Sequence, residues 1–178
     1  AAGTLHSWLR TGGVVSAVST GGALDPAVWT FAGAGDRLPT ALNELIEIFH
    51  PAVEILSTMN APVIAAVQGV AAGAGLSLLS SCSLVIASDA ASFTMAYTGI
   101  GLTPDGGATY FLPRQIGLRK TEELMITNRR LSAGEALDWG LVNEVVTPEA
   151  LAGRVDALAN QLGDGATAAY GAARRMLL

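Results

Sequence analysis

The sequence predicts an α/β fold, and three observations carry that expectation. Between Ala61 and Ala87 the chain reads strand, glycine-rich turn, helix and strand, the mark of strands alternating with helices. Its strand-like runs, residues 63–67 and 84–87, are short, uncharged and apolar, as in strands covered on both faces. Hydrophobic residues make up 51% of the 178, enough for a sizeable core in one domain of ordinary size and too many for global disorder.

The elements follow in chain order. In residues 1–30, Gly12, Gly13, Gly21 and Gly22 punctuate the apolar runs 14–18 and 28–31. The segment holds one or two strands, or is partly irregular. Residues 38–57 read as a helix, because Leu42, Leu45, Ile46, Phe49, Val53 and Leu56 fall on one 3.6-residue stripe. Pro51 is expected to kink or divide it. Residues 61–67 form a buried strand, 69–75 a small-residue turn, 76–81 a helix and 84–87 a strand. Residues 99–107 are a second glycine loop, carrying Pro104 and Asp105. A helix follows over 120–127. Ser132-Ala133-Gly134-Glu135 has the form of a capping box opening another helix, which Gly140 ends. Residues 141–146 are a strand and 148–161 an amphipathic helix. No internal repeat and no Ser/Pro-rich linker interrupts this order.

Composition excludes several function classes. Net charge is −5 and charged residues are 14%, whereas a nucleic-acid binder presents a basic face. So low a charge suggests that other subunits cover part of the surface. One cysteine, Cys82, and two histidines, His6 and His50, leave neither a disulfide framework nor a multi-cysteine zinc site, and little for a histidine-based metal cage. The 21 glycines imply tight turns and close packing. No basic stretch followed by an apolar run marks residues 1–10 as a targeting peptide. The stretch 55–88 is uncharged and long enough to span a bilayer. Pro62, Gln68, Gly69, Gly73, Gly75 and Ser80, Ser81 and Ser83 break it up, so it reads as buried strands of a soluble protein.

Two glycine loops carry the first chemical signal. Residues 33–36 are Gly-Ala-Gly-Asp, and residues 69–75 are Gly-Val-Ala-Ala-Gly-Ala-Gly between a strand and a helix. Backbone N–H groups at such turns are free to hold an oxyanion; glycines there equally serve tight packing alone. The second loop spaces its glycines G-x-x-x-G-x-G, which is not the dinucleotide fingerprint, and the chain has no P-loop and no nucleophile elbow. A Ser–His–Asp triad on Ser77 needs His6 or His50 brought to it, and is disfavoured. Asp105 is the best acid–base candidate, in a loop otherwise without charge. It also reads as an ordinary Asp-Gly turn residue or a helix N-cap. Arg114, Arg119, Lys120, Arg129 and Arg130 come close together, as a solvated helix face or as a patch attracting the phosphates of a nucleotide-like ligand.

Taken in order, several motifs resemble the enoyl-CoA hydratase/isomerase (crotonase) superfamily over roughly residues 31–178. They are Phe31-Ala-Gly-Ala-Gly-Asp36, Ala61-Pro-Val-Ile-Ala-Ala-Val-Gln-Gly69, Gly73-Ala-Gly75 and Ala96-Tyr-Thr-Gly-Ile-Gly-Leu-Thr-Pro-Asp-Gly-Gly107. Leu112-Pro-Arg114, Leu131-Ser-Ala-Gly-Glu-Ala136 and Trp139-Gly-Leu-Val142 continue in family order. The resemblance implies a spiral of ββα repeats with flanking C-terminal helices, binding acyl-coenzyme A thioesters. It places the oxyanion-holding N–H groups at Gly35 and Ala74, with Ala34, Asp36 and Gly73 beside them at the substrate.

The same resemblance shows where this chain departs. The family's hydratases carry two glutamates, at positions that here are Ser77 and Tyr97. Asp105 falls where isomerases acting on dienoyl-CoA and ring-epoxide CoA substrates, and aromatic dehalogenases, carry a functional aspartate. The expectation is therefore a cytoplasmic double-bond isomerase of acyl-CoA thioesters, of the fatty-acid type or ring-derived. Asp105 moves the proton, Ser77 and Tyr97 line the acyl pocket, and coenzyme A is part of the substrate. Neither a metal nor another cofactor is called for. The alternatives are an enoyl-CoA hydratase positioning water through Asp105, and a catalytically silent CoA-binding scaffold. The family implies a homotrimer or dimer of trimers, without nucleic-acid or membrane partners. Residues 1–178 are expected to be a single core domain. The family's additional N-terminal strand and helix and its C-terminal helices are expected to be either absent from these 178 residues or divergent in them.

Overall fold

A computed structural model describes residues 8–10, 14–16 and 38–178. The run 28–31 and the loop 33–36, with Ala34, Gly35 and Asp36, lie outside the described residues. Strands β1 (Trp8–Arg10) and β2 (Val14–Ser16) pair antiparallel. Helix α1 spans Leu38–Thr58. Then follow β3 (Val63–Val67), β4 (Val70–Ala72), α2 (Ala74–Ser80), β5 (Leu84–Ser88), β6 (Ser92–Thr94) and a 3-10 turn, Thr98–Ile100. Helices α3 (Ala108–Ile116) and α4 (Leu118–Thr127) lead to β7 (Leu131–Ser132), α5 (Ala133–Trp139), β8 (Glu144–Val146), α6 (Pro148–Gly163) and α7 (Thr167–Met176).

The strands sort into two sheets, β1-β2-β3-β5-β8 and β4-β6-β7. From β3 the chain crosses to the second sheet within two residues, forms β4, and returns through α2 to β5. It then repeats the move: β5, β6, α3. Like strands stack in parallel, with Ile64 opposite Leu84 in one sheet and Val70 opposite Ser92 in the other. Two successive ββα turns of a spiral result, in an α/β architecture.

Burial explains the apolar runs. In β3, Val63, Ala65 and Val67 join the main core while Ile64 faces a second cluster under α6. In β5, Val85 and Ala87 face the main core and Ile86 the second cluster. The period of two is intact, but both faces are covered, so neither face is polar. Phe93, Leu76, Met95, Leu112, Leu124 and Leu131 centre the main core and are fully buried, each worth about 1.5–3 kcal/mol of apolar burial.

Several elements differ from expectation. Pro51 does not divide α1, which runs on through it to Thr58. The proline forgoes one backbone bond, and the face carrying buried Val53 and half-buried Phe49 and Leu56 keeps the helix packed. The turn 69–75 contains strand β4. Helices α3 and α7 and strands β6 and β7 were not legible. The uncharged stretch 55–88 divides into the end of α1, β3, β4, α2 and β5, and among the described residues no helix is long and apolar enough to cross a membrane. The capping box is present: Ser132 Oγ accepts from Glu135 N–H, the Glu135 side chain accepts from Ser132 N–H, and Gly140 closes α5 at φ 83°.

Candidate active site

Five of the sequence candidates, Gly73, Ala74, Ser77, Tyr97 and Asp105, come together where α2 meets the loop after β6. Gly73 caps α2 at φ 53°, a left-handed value suited to glycine, and its N–H donates to Thr94 O at 3.1 Å. Ala74, exposed, opens the helix, so its N–H has no carbonyl one turn back within the helix. One turn on, Ser77 is fully buried. Its hydroxyl lies within reach of two acceptors, Gly73 O at 3.3 Å and the Tyr97 hydroxyl at 3.2 Å.

Tyr97 reaches this position through a tight turn. Ala96 sits at φ 59°, a conformation that costs a non-glycine residue about 1–2 kcal/mol. Tyr97 N–H bonds Met95 O at 2.7 Å across it. The turn throws the Tyr97 ring back beside Gly73, where a Cβ would lie 3.9 Å from that ring. The 3-10 turn that follows is tied to α4, with Thr98 Oγ1 donating to Met125 O at 2.6 Å and accepting from Asn128 Nδ2 at 2.5 Å.

The Tyr97 hydroxyl donates to Asp105 Oδ1 at 2.5 Å. Burial, followed by this bond to Asp105, pushes the Tyr97 phenol well above its ordinary range, so it remains a donor. An ionised carboxylate only accepts. The Tyr97 proton therefore points to Asp105, and the Ser77 hydroxyl is left to donate toward Tyr97 or Gly73. Asp105 is not the cap of the helix that follows: Gly107 is, at φ 78°. Its side chain instead closes the Ser77–Tyr97–Asp105 chain.

Asp105 also lines an open cleft of about 510 Å³ between its loop and α1. His50, Val53, Glu54 and Ser57 form the α1 wall; Pro104, Gly106 and Gly107 complete the other. Gly106 makes the approach possible: at φ 58°, a Cβ there would lie 2.3 Å from Phe49 Cε1 and 3.0 Å from Ser77 Cβ. His50 sits on a helix legible only by its apolar stripe, which does not include it. The signal for His50 is its i, i+3, i+4, i+7 spacing with Val53, Glu54 and Ser57, which puts all four on one face of α1. His6 lies outside the described residues. None of the five clustered basic residues is among those lining the cleft. Arg119 pairs with Glu122 at 3.4 Å, and Arg129 with Glu123 at 2.6 Å and with Glu135. Arg114 stacks 3.6 Å over Tyr110, and Lys120 5.3 Å over Trp139.

Comparison with known proteins adds an independent line. A family model described as enoyl-CoA hydratase/isomerase matches residues 30–177. The 1,2-epoxyphenylacetyl-CoA isomerase of Escherichia coli (strain K12) is 41% identical over 123 residues, covering 69% of this chain and 47% of that protein. The 4-chlorobenzoyl coenzyme A dehalogenase-1 of Arthrobacter sp is 36% identical over 119 residues, 67% of this chain and 43% of that protein. The crystal structure of an enoyl-CoA hydratase from Polaromonas sp. JS666 superposes with a TM-score of 0.75 at 35% identity, over 81% of this chain and 56% of that one. The chain thus spans about half the length of the curated relatives it matches.

Proposed function

The chain belongs to the enoyl-CoA hydratase/isomerase family, and from that premise we propose that it binds an acyl-CoA thioester and moves a carbon–carbon double bond through an enolate. One observation carries the choice of reaction. The two positions where the family's hydratases place glutamates hold Ser77 and Tyr97, and both side chains are engaged in a hydrogen-bond chain ending on Asp105. Neither supplies a carboxylate to activate water. Asp105, held at one oxygen and facing the cleft, is the group left to take a proton from carbon.

In this reading the thioester carbonyl accepts from the N–H groups of Ala74 and Gly35, with Gly73, Ala34 and Asp36 shaping the approach. Each such donor is worth about 10²–10³ in rate, because negative charge grows on that oxygen only as the enolate forms. Asp105 removes the proton, and a proton is returned at the far end of the conjugated system. Ser77 and Tyr97, expected to line the acyl pocket, are buried behind Asp105 and are not among the residues lining the cleft; they act on the pocket through Asp105. The relative named as an isomerase of an epoxide-bearing acyl-CoA supports proton transfer on a ring-derived substrate. A cytoplasmic homotrimer or dimer of trimers belongs to the same reading.

The test incubates the protein with crotonyl-CoA and with a 3-enoyl-CoA in deuterated water, read by mass spectrometry, with Asp105→Ala alongside. Double-bond migration with deuterium uptake, reduced about 10²–10⁴-fold in the variant, is the expected outcome. Gain of one water favours a hydratase. Activity surviving in Asp105→Ala removes Asp105 from the site. Binding without turnover of any acyl-CoA marks a silent CoA-binding scaffold.

A further inference from the structure

We propose that His50 is the second proton-transfer group of this cleft, delivering a proton to the far carbon of the enolate that Asp105 generates. The inference rests on the isomerase reading above and deepens it. Moving a double bond requires a proton to leave one carbon and another to arrive two carbons away. A single carboxylate does both only if it swings between them. Asp105 is poorly placed to swing: Tyr97 holds its Oδ1 at 2.5 Å, and its loop is fixed where Gly106 seats the Phe49 ring. One oxygen is left to face one carbon.

The other wall of the cleft is α1. Seating Phe49 against Gly106 brings the next residue, His50, into the lining opposite the Asp105 loop, its ring tilted 49° to that of Phe49 at 6.4 Å between centroids. Among the described residues, the ionisable side chains lining the cleft are Asp105, His50 and, one turn further along α1, Glu54. Of these types imidazole alone gives and takes protons readily near neutral pH. A substrate lying in the cleft presents one face to the Asp105 loop and the other to α1.

The step balances without any further reagent. The C–H bond next to the double bond breaks, its proton passing to Asp105 and its electron pair into the enolate. The enolate pair then becomes the new double bond as the thioester carbonyl re-forms, and the pair of the old double bond forms a C–H bond at the far carbon with a proton from the His50 imidazolium. Asp105 releases its proton to water and His50 regains one from water.

The experiment uses the 178-residue chain with 3-hexenoyl-CoA in deuterated water, following exchange at the carbon next to the thioester separately from migration of the double bond. His50 is exposed on α1, so His50→Gln is compatible with folding, which a melting curve checks. In His50→Gln, exchange should stay within about twofold of the wild type while migration falls about 100-fold. In His50→Ala, added imidazole should restore part of the migration. In Asp105→Asn, both should be lost. Migration at the wild-type rate in His50→Gln, or exchange and migration falling together, would overturn the proposal. A wild type that neither exchanges nor migrates overturns the isomerase reading itself, and the role of His50 with it.

Discussion

At the scale of single residues, Tyr97 is the pivot of the candidate site. Its hydroxyl joins fully buried Ser77 to half-buried Asp105, and its proton has one charged acceptor. Hydrogen bonds to an ionised partner contribute about 1.5–3 kcal/mol when buried, less toward a group that water reaches. Tyr97→Phe removes the donor but leaves Ser77 its bond to Gly73 O, and water can solvate the freed oxygen of Asp105. The expected result is a loss of about 1 kcal/mol or less in urea unfolding. The turnover number should fall about tenfold with KM unchanged, the pattern of an interaction felt mainly in the transition state. An unchanged turnover number would show that Asp105 does not depend on Tyr97 for its aim. The sequence named Asp105 by its place in an uncharged loop and then by resemblance, and Ser77 and Tyr97 as pocket residues through resemblance. It did not show that they bond to each other, because contacts across 20 and 8 residues depend on the left-handed turn at Ala96, which no spacing rule anticipates.

At the scale of elements, the site is set by how α1 meets the loop before α3. Gly106 is the contact point, and a side chain there is opposed twice. Its φ of 58° is left-handed, and a Cβ would lie 2.3 Å from Phe49 Cε1. Left-handed strain costs about 1–2 kcal/mol and overpacking about 1–3 kcal/mol. Gly106→Ala should therefore lower stability by about 2–5 kcal/mol. By pushing α1 away it should also disable the cleft more severely than its stability loss explains at temperatures where the chain stays folded. Denaturant titration beside single-turnover assay checks both, and an unchanged denaturation midpoint would mean that Phe49 moves aside freely. Elements with strong local signatures were legible: the long stripe of α1, the capping box of α5 and Pro148 opening α6. Strands β4 and β6 have three residues each and β7 two, too few to display a period. Helix α3 is nine residues long with Pro113 inside it, and α7 is ten residues of mostly small side chains with Gly171, so the apolar face of each is too short or too slight to stand out in the sequence. The loop 69–75 read as a turn because its small residues suit both a turn and a strand packed closely under another sheet.

At the scale of the whole molecule, the α/β class was legible because strands buried on both faces are apolar throughout. Which strand joins which sheet was not, since that follows from the spiral bringing β3 beside β5 and β4 beside β6. The last helix ties the arrangement together. Gly171 of α7 sits where a Cβ would lie 2.3 Å from the Asn60 carbonyl carbon. Arg174 donates to Leu56 O at the end of α1, at 2.5 Å, and to Ser81 O at the end of α2. Cys82 is buried at this junction, and burial pushes its thiol from 9.0 up to about 11, against the opposing pull of the Arg174 guanidinium. The folded state therefore holds the thiol proton more tightly than the unfolded chain does. That contribution is fully present below about pH 9 and disappears as pH rises to about 11. Two units correspond to about 3 kcal/mol at most. The wild type should lose stability between pH 9 and 11 more steeply than Cys82→Ala, in which any alkaline loss from the equally protonated Tyr97 remains. Alkylation of the native thiol at pH 9 should likewise be slow and should accelerate when denaturant opens the junction. Parallel stability curves for the two proteins across this range would mean that water reaches Cys82 in the native state, and that α7 does not seal the meeting point of α1 and α2.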